Sequence, residues 1–297
     1  MPFPMKIIIT IPAYNEAATI GNLVAEIKKV MTAGRYDYEV LVVDDGSSDA
    51  TAAVAKKQGA LVYQHPKNYG LAETFRSELQ KCGELKADVI VHIDADHQYL
   101  PKEIPLLLKK INEGYDLVLG SRFKGIIEEM PLVKKVGNRA FSWVVSRIAG
   151  VPLSDAQTGF RVFTRAVAEK VTIISTHTYT QEQIIKAVKQ KFRVVEVPIT
   201  FAKRHDKSRL ISNPFEYALK AWINILRIYR DYEPLKFFGY LGMVFVSVGG
   251  VLGLMALYRF LMTGVVGALP RVVLSAVLLI VGVQIILFGF LADMMRK

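Results

Sequence analysis

Two long runs without charge near the C-terminus most restrict how this chain can fold. Between Phe237 and Met262 the only charged residue is Arg259, and between Val272 and Ala292 there is none. Each run is long enough for a membrane-spanning helix of about 20 residues. The short segment from Gly264 to Pro270 predicts a turn, so that the two helices form a hairpin. Two buried helices of a soluble core would explain such uninterrupted apolar runs less well.

The positive charge of the chain is concentrated beside these runs. The formal net charge is +11, and residues 201–297 carry twelve Lys and Arg against five Asp and Glu. Anionic lipid headgroups explain this placement better than nucleic acid does, so we expect a lipid bilayer and no nucleic acid as partner. The single cysteine, Cys82, excludes an intramolecular disulfide and fits a reducing compartment.

The sequence also predicts which side of the membrane the large N-terminal part occupies. The first residues lead directly into an apolar strand, without the basic segment and cleavage site of a signal peptide. Basic residues flank the hairpin on the side that would then be cytoplasmic: Arg227, Arg230, Lys236, Arg296 and Lys297. Arg259 and Arg271, near the outer turn, weaken this count. We predict a cell-membrane protein with two helices and its N-terminal domain on the cytoplasmic face.

Before the hairpin, short apolar strands alternate with helical segments. The strands are predicted at residues 6–12, 39–43, 60–63, 89–93 and 116–120, and helices at 17–31, after 49, at 71–85 and at 103–111. Such alternation predicts an α/β fold with a mostly parallel, Rossmann-like sheet. A helix at 212–231, in which aromatic and basic residues alternate, is predicted to lie at the membrane interface.

We therefore expect three parts in the chain. They are an α/β domain over residues 1–210, a juxtamembrane amphipathic helix over 211–236, and the hairpin over 237–297 with helices at about 237–262 and 271–293. The sequence does not predict an oligomeric state.

Polar side chains follow three of the predicted strands at the points where the strands end: Tyr14, Asn15 and Glu16; Asp44 and Asp45; Asp94, Asp96 and Gln98. The carboxyl ends of parallel strands meet at one edge of a sheet, where ligands bind. A lone Asp-x-Asp more often only forms a turn, but three such ends together favour a site. Clustered oxygen ligands suit Mg²⁺ or Mn²⁺, which share their coordination with substrate phosphates.

Several other classes of nucleotide or metal enzyme are disfavoured. The glycine-rich fingerprint of NAD-binding proteins should follow the first strand, where Pro12 to Glu16 stand instead. A Walker A loop and an H-E-x-x-H zinc motif are also absent from the sequence. Four of the five histidines, His92, His97, His177 and His205, have no partners at the spacings of a recognisable Ser-His-Asp set.

The ordered motifs resemble family 2 glycosyltransferases, and within them the polyisoprenyl-phosphate glycosyltransferases typified by dolichyl-phosphate mannose synthase. The motifs are Pro12-Ala13-Tyr14-Asn15-Glu16, Val43-Asp44-Asp45-Gly46-Ser47-Ser48-Asp49, Asp94-Ala95-Asp96-His97-Gln98, Gly120-Ser121-Arg122 and Asp155-Ala156-Gln157-Thr158-Gly159-Phe160-Arg161. The resemblance covers about residues 5–210. It implies a GT-A fold, a nucleotide-sugar donor such as GDP-mannose or UDP-glucose, and a polyprenyl or dolichyl phosphate acceptor.

The resemblance also implies roles for individual residues. The donor nucleotide would be bound by Pro12, Tyr14, Glu16, Val42, Asp44, Asp94, Ala95, Asp96, Arg204 and Arg209. The metal ion, Mg²⁺ or Mn²⁺, would be bound by Asp96 and Gln98, and the catalytic residues would be Asp94, Asp96 and Arg122. The acceptor phosphate would be bound by Arg122, Lys134, Lys135 and Asn138.

The region from Gly120 to Gly150, in which cations punctuate an apolar stretch, suits a lipid phosphate entering from a bilayer. An ordinary amphipathic helix with a solvated basic face explains it equally well. Glu182 is a candidate sugar contact, although an exposed carboxylate at a helix N-terminus is the simpler interpretation.

The expected reaction is in-line attack by a lipid-phosphate oxygen on the anomeric carbon of the sugar, with inversion. A phosphate monoester has its second pKa near about 6, so it needs no general base at neutral pH. The Q-x-x-R-W motif of processive synthases is absent, which disfavours a polymer synthase. Arg204 to Arg209 is one residue shorter than the family's R-x-x-G-x-S-K motif and ends in Arg, which leaves its phosphate contact open.

Transfer to another membrane lipid or lipid-linked saccharide therefore stays open. So does a catalytically silent nucleotide-binding subunit of a membrane assembly.

Overall fold

The computed structural model describes residues 5–175, 179–203, 223, 225–265 and 269–295. By its internal contacts the chain divides into two compact units, residues 1–218 and residues 219–297. The first contains the sheet and the second the apolar helices.

The described part of the first unit contains one seven-stranded sheet. Its strands are β1 (Ile7–Ala13), β2 (Tyr38–Asp44), β3 (Leu61–Gln64), β4 (Val89–His92), β5 (Leu117–Ile127), β6 (Arg161–Thr164) and β7 (Val194–Phe201). The order across the sheet is β3-β2-β1-β4-β6-β5-β7. Strand β6 is antiparallel to both of its neighbours, and the other pairs are parallel. The predicted α/β fold with a mostly parallel sheet is confirmed.

Helices connect the strands and cover the sheet. They are α1 (Ile20–Ala33), α2 (Thr51–Lys57), α3 (Leu71–Glu84), α4 (Ile104–Asn112), α5 (Leu132–Ala149), α6 (Arg165–Lys170) and α7 (Thr180–Lys189). Helix α1 shows why they pack as they do: its buried residues Ile20, Leu23, Val24, Ile27 and Met31 recur at helical spacing and form one apolar face. That face packs in the main core with β-branched side chains of the central strands, such as Ile9 and Val91.

Two strands were not expected from the sequence, and one is longer than predicted. Strand β5 continues past Gly120 to Ile127 because it pairs with β7, with an irregularity between Ser121 and Ile126. The added stretch carries Arg122, Lys124 and Gly125, which give no apolar strand signal. A Cβ atom on Gly125 would lie 2.0 Å from the carbonyl oxygen of Ile199, so the close approach of these strands requires glycine.

The described part of the second unit contains two long helices, α8 (Pro234–Thr263) and α9 (Leu269–Met294). Both are long and apolar enough to cross a membrane, and few of their residues are buried within the protein. They pack antiparallel: the Ser275 hydroxyl donates to the carbonyl oxygen of Gly249 at 2.7 Å. The predicted turn is shorter than expected, because Leu269 and Pro270 already belong to α9.

Only part of the predicted interfacial helix at 212–231 can be compared with the structure. Residues 225–232 are helical, and most of the remainder lies outside the described residues.

Glycines set the distance between α8 and α9. A Cβ atom on Gly242 would lie 2.6 Å from the carbonyl oxygen of Gly282, whereas one on Gly250 would meet nothing within 4 Å. We expect Gly242→Ala to force the helices apart and to destabilise the hairpin by about 1–3 kcal/mol, the range for overpacking. The measurement is thermal unfolding of the detergent-solubilised chain, with Gly250→Ala as the matched control. Equal melting temperatures for the two variants would contradict the packing described here.

Candidate active site

The three polar strand ends meet as predicted. Strands β2, β1 and β4 are neighbours in the sheet, and Ala13 at the end of β1 is in register with Asp44 at the end of β2. Beyond these ends lies a cleft of about 480 Å³, a size suited to a small-molecule ligand. Its lining comprises Pro12, Ala13, Tyr14, Glu16, Asp45, Asn68, Gly70, Leu71, Thr74, Asp94, Ala95 and Asp96.

The loops after β1 and β2 are joined by hydrogen bonds. The amide of Asn15 donates to the Ser47 hydroxyl at 2.8 Å, and the amide of Ser48 donates to Asn15 Oδ1 at 2.9 Å. Asn15 adopts a left-handed backbone with φ of 56°, which asparagine tolerates better than most residues. These bonds fix Tyr14 and its neighbours on the cleft wall.

Asp44 is fully buried at the end of β2 and is absent from the cleft lining. Its Oδ1 accepts hydrogen bonds from the amide and the hydroxyl of Ser47. Its Oδ2 is buried without a hydrogen-bond partner in the part of the chain that the structure describes. An acceptor buried in this way is costly and is therefore a candidate for pairing with a ligand donor.

Asp45 organises a wall of the cleft that the sequence analysis missed. Its carboxylate accepts hydrogen bonds from His65 Nδ1 at 2.7 Å and from the amides of Tyr69 and Gly70 at 2.9 and 2.8 Å. These contacts place Asn68 and Gly70, with the first turn of α3, against the cleft. Asn68-Tyr69-Gly70 directly before a helix was the available signal, since this is turn chemistry followed by a helix start.

Asp94 and Asp96 follow β4 and border the same cleft. The side chain of Asp94 is 37% exposed. Desolvation of its carboxylate, together with repulsion from Asp96, raises the pKa of Asp94 to about 6. Between them and Gln98 the chain turns through His97, which has a left-handed φ of 60°. Two carboxylates that repel each other favour a cation beside them.

The predicted metal ligands are Asp96 and Gln98. The amide of Gln98 donates to Asp96 Oδ1 at 3.2 Å, and Gln98 Nε2 donates to the carbonyl oxygen of Ala202 at 3.3 Å. Because the nitrogen of the planar side-chain amide is bonded to Ala202, the amide oxygen points the other way. In the described ranges, no group of three or more His, Cys, Asp or Glu side chains could hold a metal. A few protein oxygens nevertheless fit a Mg²⁺ or Mn²⁺ that shares its coordination with phosphates.

Gly159 brings a second motif into contact with Asp94. A Cβ atom on Gly159 would lie 2.0 Å from Asp94 Oδ2, and the Gly159 amide donates to the Tyr99 hydroxyl at 2.9 Å. The backbone of the Asp155–Arg161 motif therefore packs against the Asp94 carboxylate. Sequence reasoning noted this motif but assigned Gly159 no role.

Arg122 is more constrained than its predicted role suggests. It is only 4% exposed. Its Nε and Nη2 atoms donate to the two oxygens of the buried Asp155 at 2.6 and 2.7 Å. Its guanidinium also lies over the ring of Phe201, 5.1 Å from the centroid. A bidentate pair of this kind fixes the orientation of Arg122.

The other predicted acceptor residues lie on α5. Lys134 and Lys135 are partly exposed, whereas Asn138 is buried at 2% exposure. On the donor side, the side chain of Val42 is fully buried in the core, so it does not face the cleft. Arg204 and Arg209 lie outside the described residues.

The expectation of an exposed carboxylate at Glu182 is wrong. Glu182 is 4% exposed in the first turn of α7. Its carboxylate accepts hydrogen bonds from the amides of Ile174 and Ser175 at 2.9 Å and pairs with Lys186 at 2.7 Å. These contacts show that Glu182 orders the segment before α7.

Comparison with known proteins now identifies the family. The model of the family described as Glycosyl transferase family 2 matches residues 8–172, more than half of the chain. The chain belongs to this family and is a glycosyltransferase. The resemblance stated from the motifs is confirmed.

Two relatives and one solved structure illustrate the similarity. The dolichyl-phosphate hexose transferase of Haloferax volcanii is 32% identical over 205 residues, which cover 68% of this chain and 84% of that protein. The UDP-N-acetylglucosamine–dolichyl-phosphate N-acetylglucosaminyltransferase of Methanococcus voltae is 33% identical over 216 residues, covering 65% and 84%. Glucosyl-3-phosphoglycerate synthase from Mycobacterium tuberculosis, solved with Mn²⁺ and UDP-glucose, has a TM-score of 0.59 at 19% identity, covering 76% and 78%. This likeness confirms the GT-A fold.

Proposed function

We propose that this protein transfers a single sugar, with inversion, from a nucleotide sugar of the GDP-mannose or UDP-glucose type to the phosphate of a polyprenyl or dolichyl phosphate. The observation that carries the proposal is the cleft in which the ends of β1, β2 and β4 place Tyr14, Asp94 and Asp96 together. The names of the two relatives, both of which use dolichyl phosphate, support the acceptor. The product would be a lipid-phosphate-linked sugar for glycan or glycoprotein synthesis.

On the donor side, the residues divide the work between nucleoside and sugar. Pro12, Tyr14 and Glu16 form the wall that would hold the nucleoside. Asp44 is not part of this lining, but its Oδ2 has no hydrogen-bond partner among the described residues and is the proposed acceptor for a donor of the nucleoside. Asp94, open to the cleft, would contact the ribose or the sugar. We retain Ala95, Val42, Arg204 and Arg209 as proposed donor contacts, Val42 through its backbone because its side chain is buried.

Asp96 and Gln98 would hold a Mg²⁺ or Mn²⁺ ion, which when bound supplies positive charge to stabilise the diphosphate leaving group. The carboxylate pair of Asp94 and Asp96 suits such an ion because repulsion from Asp96 contributes to the raised pKa of Asp94, and a cation would relieve that repulsion.

On the acceptor side, Arg122, Lys134, Lys135 and Asn138 would bind the lipid phosphate. Arg122 is held in place by Asp155 and lies near enough to Asp94 to interact with it electrostatically. Since a phosphate monoester is largely deprotonated at neutral pH, with a second pKa of about 6, these cations need only bind and orient the nucleophile. We propose residues 1–210 as the catalytic domain, 211–236 as the juxtamembrane helix and 237–297 as the membrane anchor.

The test is incubation of membranes that contain the protein with radiolabelled nucleotide sugars and dolichyl phosphate. We expect label from one donor to enter the organic phase, EDTA to stop the transfer, and Mn²⁺ or Mg²⁺ to restore it. Asp96→Asn should reduce the rate at least about 100-fold, as expected for loss of a charge that stabilises the transition state.

Four outcomes would contradict parts of the proposal. Label that never reaches the organic phase would favour the alternative of a catalytically silent nucleotide-binding subunit. Transfer only to an added lipid that lacks a phosphate would favour the other acceptors. Transfer unaffected by EDTA would remove the metal assignment. In sealed vesicles, donors added to the cytoplasmic face should be used, and use only from the opposite face would overturn the proposed orientation.

A further inference from the structure

A buried polar cluster lies inside the domain, on the side of Asp94 that faces away from the cleft. It consists of Glu78 on α3, His92 at the end of β4 and Tyr179 just before α7, which are 0%, 0% and 1% exposed. No partner of His92 is recognisable from spacing in the sequence, and the structure brings its partners from distant segments of the chain. None of the three residues has a role in the function proposed above.

The contacts fix the orientation of the imidazole ring. His92 Nδ1 lies 2.7 Å from Glu78 Oε2, and His92 Nε2 lies 2.6 Å from the Tyr179 hydroxyl. Because a carboxylate only accepts hydrogen bonds, Nδ1 carries the hydrogen of the first contact. His92 Nε2 also lies 3.8 Å from Asp94 Oδ1, beyond hydrogen-bond distance but close enough for the ring edge to pack against the carboxylate.

Tyr179 is itself held by contacts to its ring. One face stacks on Phe75, with the centroids 3.8 Å apart and the planes 11° from parallel. The guanidinium of Arg161 lies 5.2 Å from the ring centroid, and Arg161 Nη1 donates to the carbonyl oxygen of Thr180 at 2.8 Å. The Tyr179 hydroxyl therefore has little freedom to leave His92.

This arrangement destabilises the fold more than an apolar cluster that only filled the core would. Glu78 Oε1 is buried and has no hydrogen-bond partner in the described part of the chain, while Oε2 bonds His92 and, at 3.3 Å, Thr10. A buried carboxylate with an unsatisfied oxygen costs free energy that an apolar side chain of similar size would not. Glu78 contacts His92, which in turn lies beside the active-site carboxylate of Asp94, and this placement indicates a role at the active site.

We propose that His92 is a positioning residue for Asp94, and that Glu78 and Tyr179 hold it in that role. Glu78 sets the hydrogen on Nδ1, Nε2 accepts a hydrogen bond from the Tyr179 hydroxyl, and the ring fixed in this way packs against the inner side of the Asp94 carboxylate. Asp94 is then held in one orientation toward the nucleotide sugar. The inference rests on the proposed function, because it assumes that Asp94 contacts the donor.

The experiment measures binding of UDP-glucose, GDP-mannose and UDP-N-acetylglucosamine to the detergent-solubilised full chain by calorimetry with Mn²⁺ and without acceptor. Tyr179→Phe removes one hydroxyl and retains the stacked ring. We expect it to weaken binding of the preferred donor about tenfold, the low end for loss of a residue that orients a ligand-contacting group. Glu78→Leu should do the same, whereas Glu78→Gln, which still accepts from Nδ1, should bind nearly as the parent chain does.

Tyr38→Phe is the control, because it also removes a hydroxyl that makes two hydrogen bonds, with the Thr32 hydroxyl at 2.9 Å and the carbonyl oxygen of Lys28 at 3.2 Å. Tyr38 begins β2 and so lies at the end of that strand away from the cleft. Unchanged donor binding by Tyr179→Phe would overturn the inference. The inference would also be overturned if Glu78→Gln and Glu78→Leu lost donor binding equally and the loss followed the decrease in their melting temperatures. Neither of these two outcomes affects the proposed function, provided that the parent chain transfers sugar to lipid phosphate. If it binds none of the donors, both proposals fall.

Discussion

Gly159→Ala should lower sugar transfer at least about 100-fold while leaving the fold almost as stable as before. The added Cβ would lie 2.0 Å from Asp94 Oδ2 and 2.5 Å from Asp94 Cγ. The backbone of Gly159 is tied to the Tyr99 hydroxyl, so the Asp94 side chain is the part that must move. A displacement of about 1 Å at a reacting centre is enough for a loss of about 100-fold.

The measurement is the initial rate of transfer beside the melting temperature of the same preparation. Gly83→Ala is the matched control, because a Cβ there meets nothing within 4 Å and the site lies inside α3. Alanine in a helix interior is favoured over glycine by about 0.5–1 kcal/mol, so this variant should be fully active and at least as stable. A fully active Gly159→Ala enzyme would show that the position of Asp94 does not matter for the reaction.

Asp155→Ala should cause the largest loss of stability of the substitutions considered. Asp155 is fully buried and accepts hydrogen bonds from the amide, Nε and Nη2 of Arg122. Its removal would leave a guanidinium that is 4% exposed without its counter-charge. Breaking a buried ion pair on one side costs about 3–5 kcal/mol. We expect this decrease in the free energy of unfolding, measured by denaturant titration of the solubilised chain.

The control for Asp155→Ala is an ion pair at the surface with a similar distance between nitrogen and oxygen. Lys110 Nζ and Glu113 Oε2 are 2.6 Å apart, but both side chains are about a third exposed or more. Lys110→Ala should therefore leave the unfolding curve almost unchanged. Asp155→Asn, which keeps an acceptor for Arg122 but not the charge, should fall between the two. If Asp155→Ala unfolds like Lys110→Ala, the buried pair is not what stabilises this part of the fold.

Local sequence patterns were sufficient to predict the half of the sheet formed by β3, β2, β1 and β4. Each of these strands reads as an apolar run followed by polar residues, and parallel strands necessarily bring such ends to one edge. That is why the order of residues along the chain was enough to assign Tyr14, Asp94 and Asp96 to one cleft. The membrane hairpin was predictable for the same reason, since a run of about 20 uncharged residues is a local property.

The other half of the sheet was not predictable in this way. Strand β6 has only four residues and begins with Arg161, which is fully buried and bonded to carbonyl oxygens of the surrounding loops. Its strand character comes from pairing with β4 and β5 on either side. Such pairing depends on residues far away in the chain, so no local pattern reveals it.

The sequence by itself determined the class of fold, the hairpin and those cleft residues that follow β1 and β4, because these follow from periodicity and from short motifs. Only the tertiary structure decided which other residues contact and position them. Asn68 and Gly70 reach the cleft through the Asp45 carboxylate, Gly159 packs against Asp94, and His92 joins Asp94 to Glu78. These contacts join segments far apart in the chain, and their geometry is fixed by packing, which leaves no local trace in a single sequence.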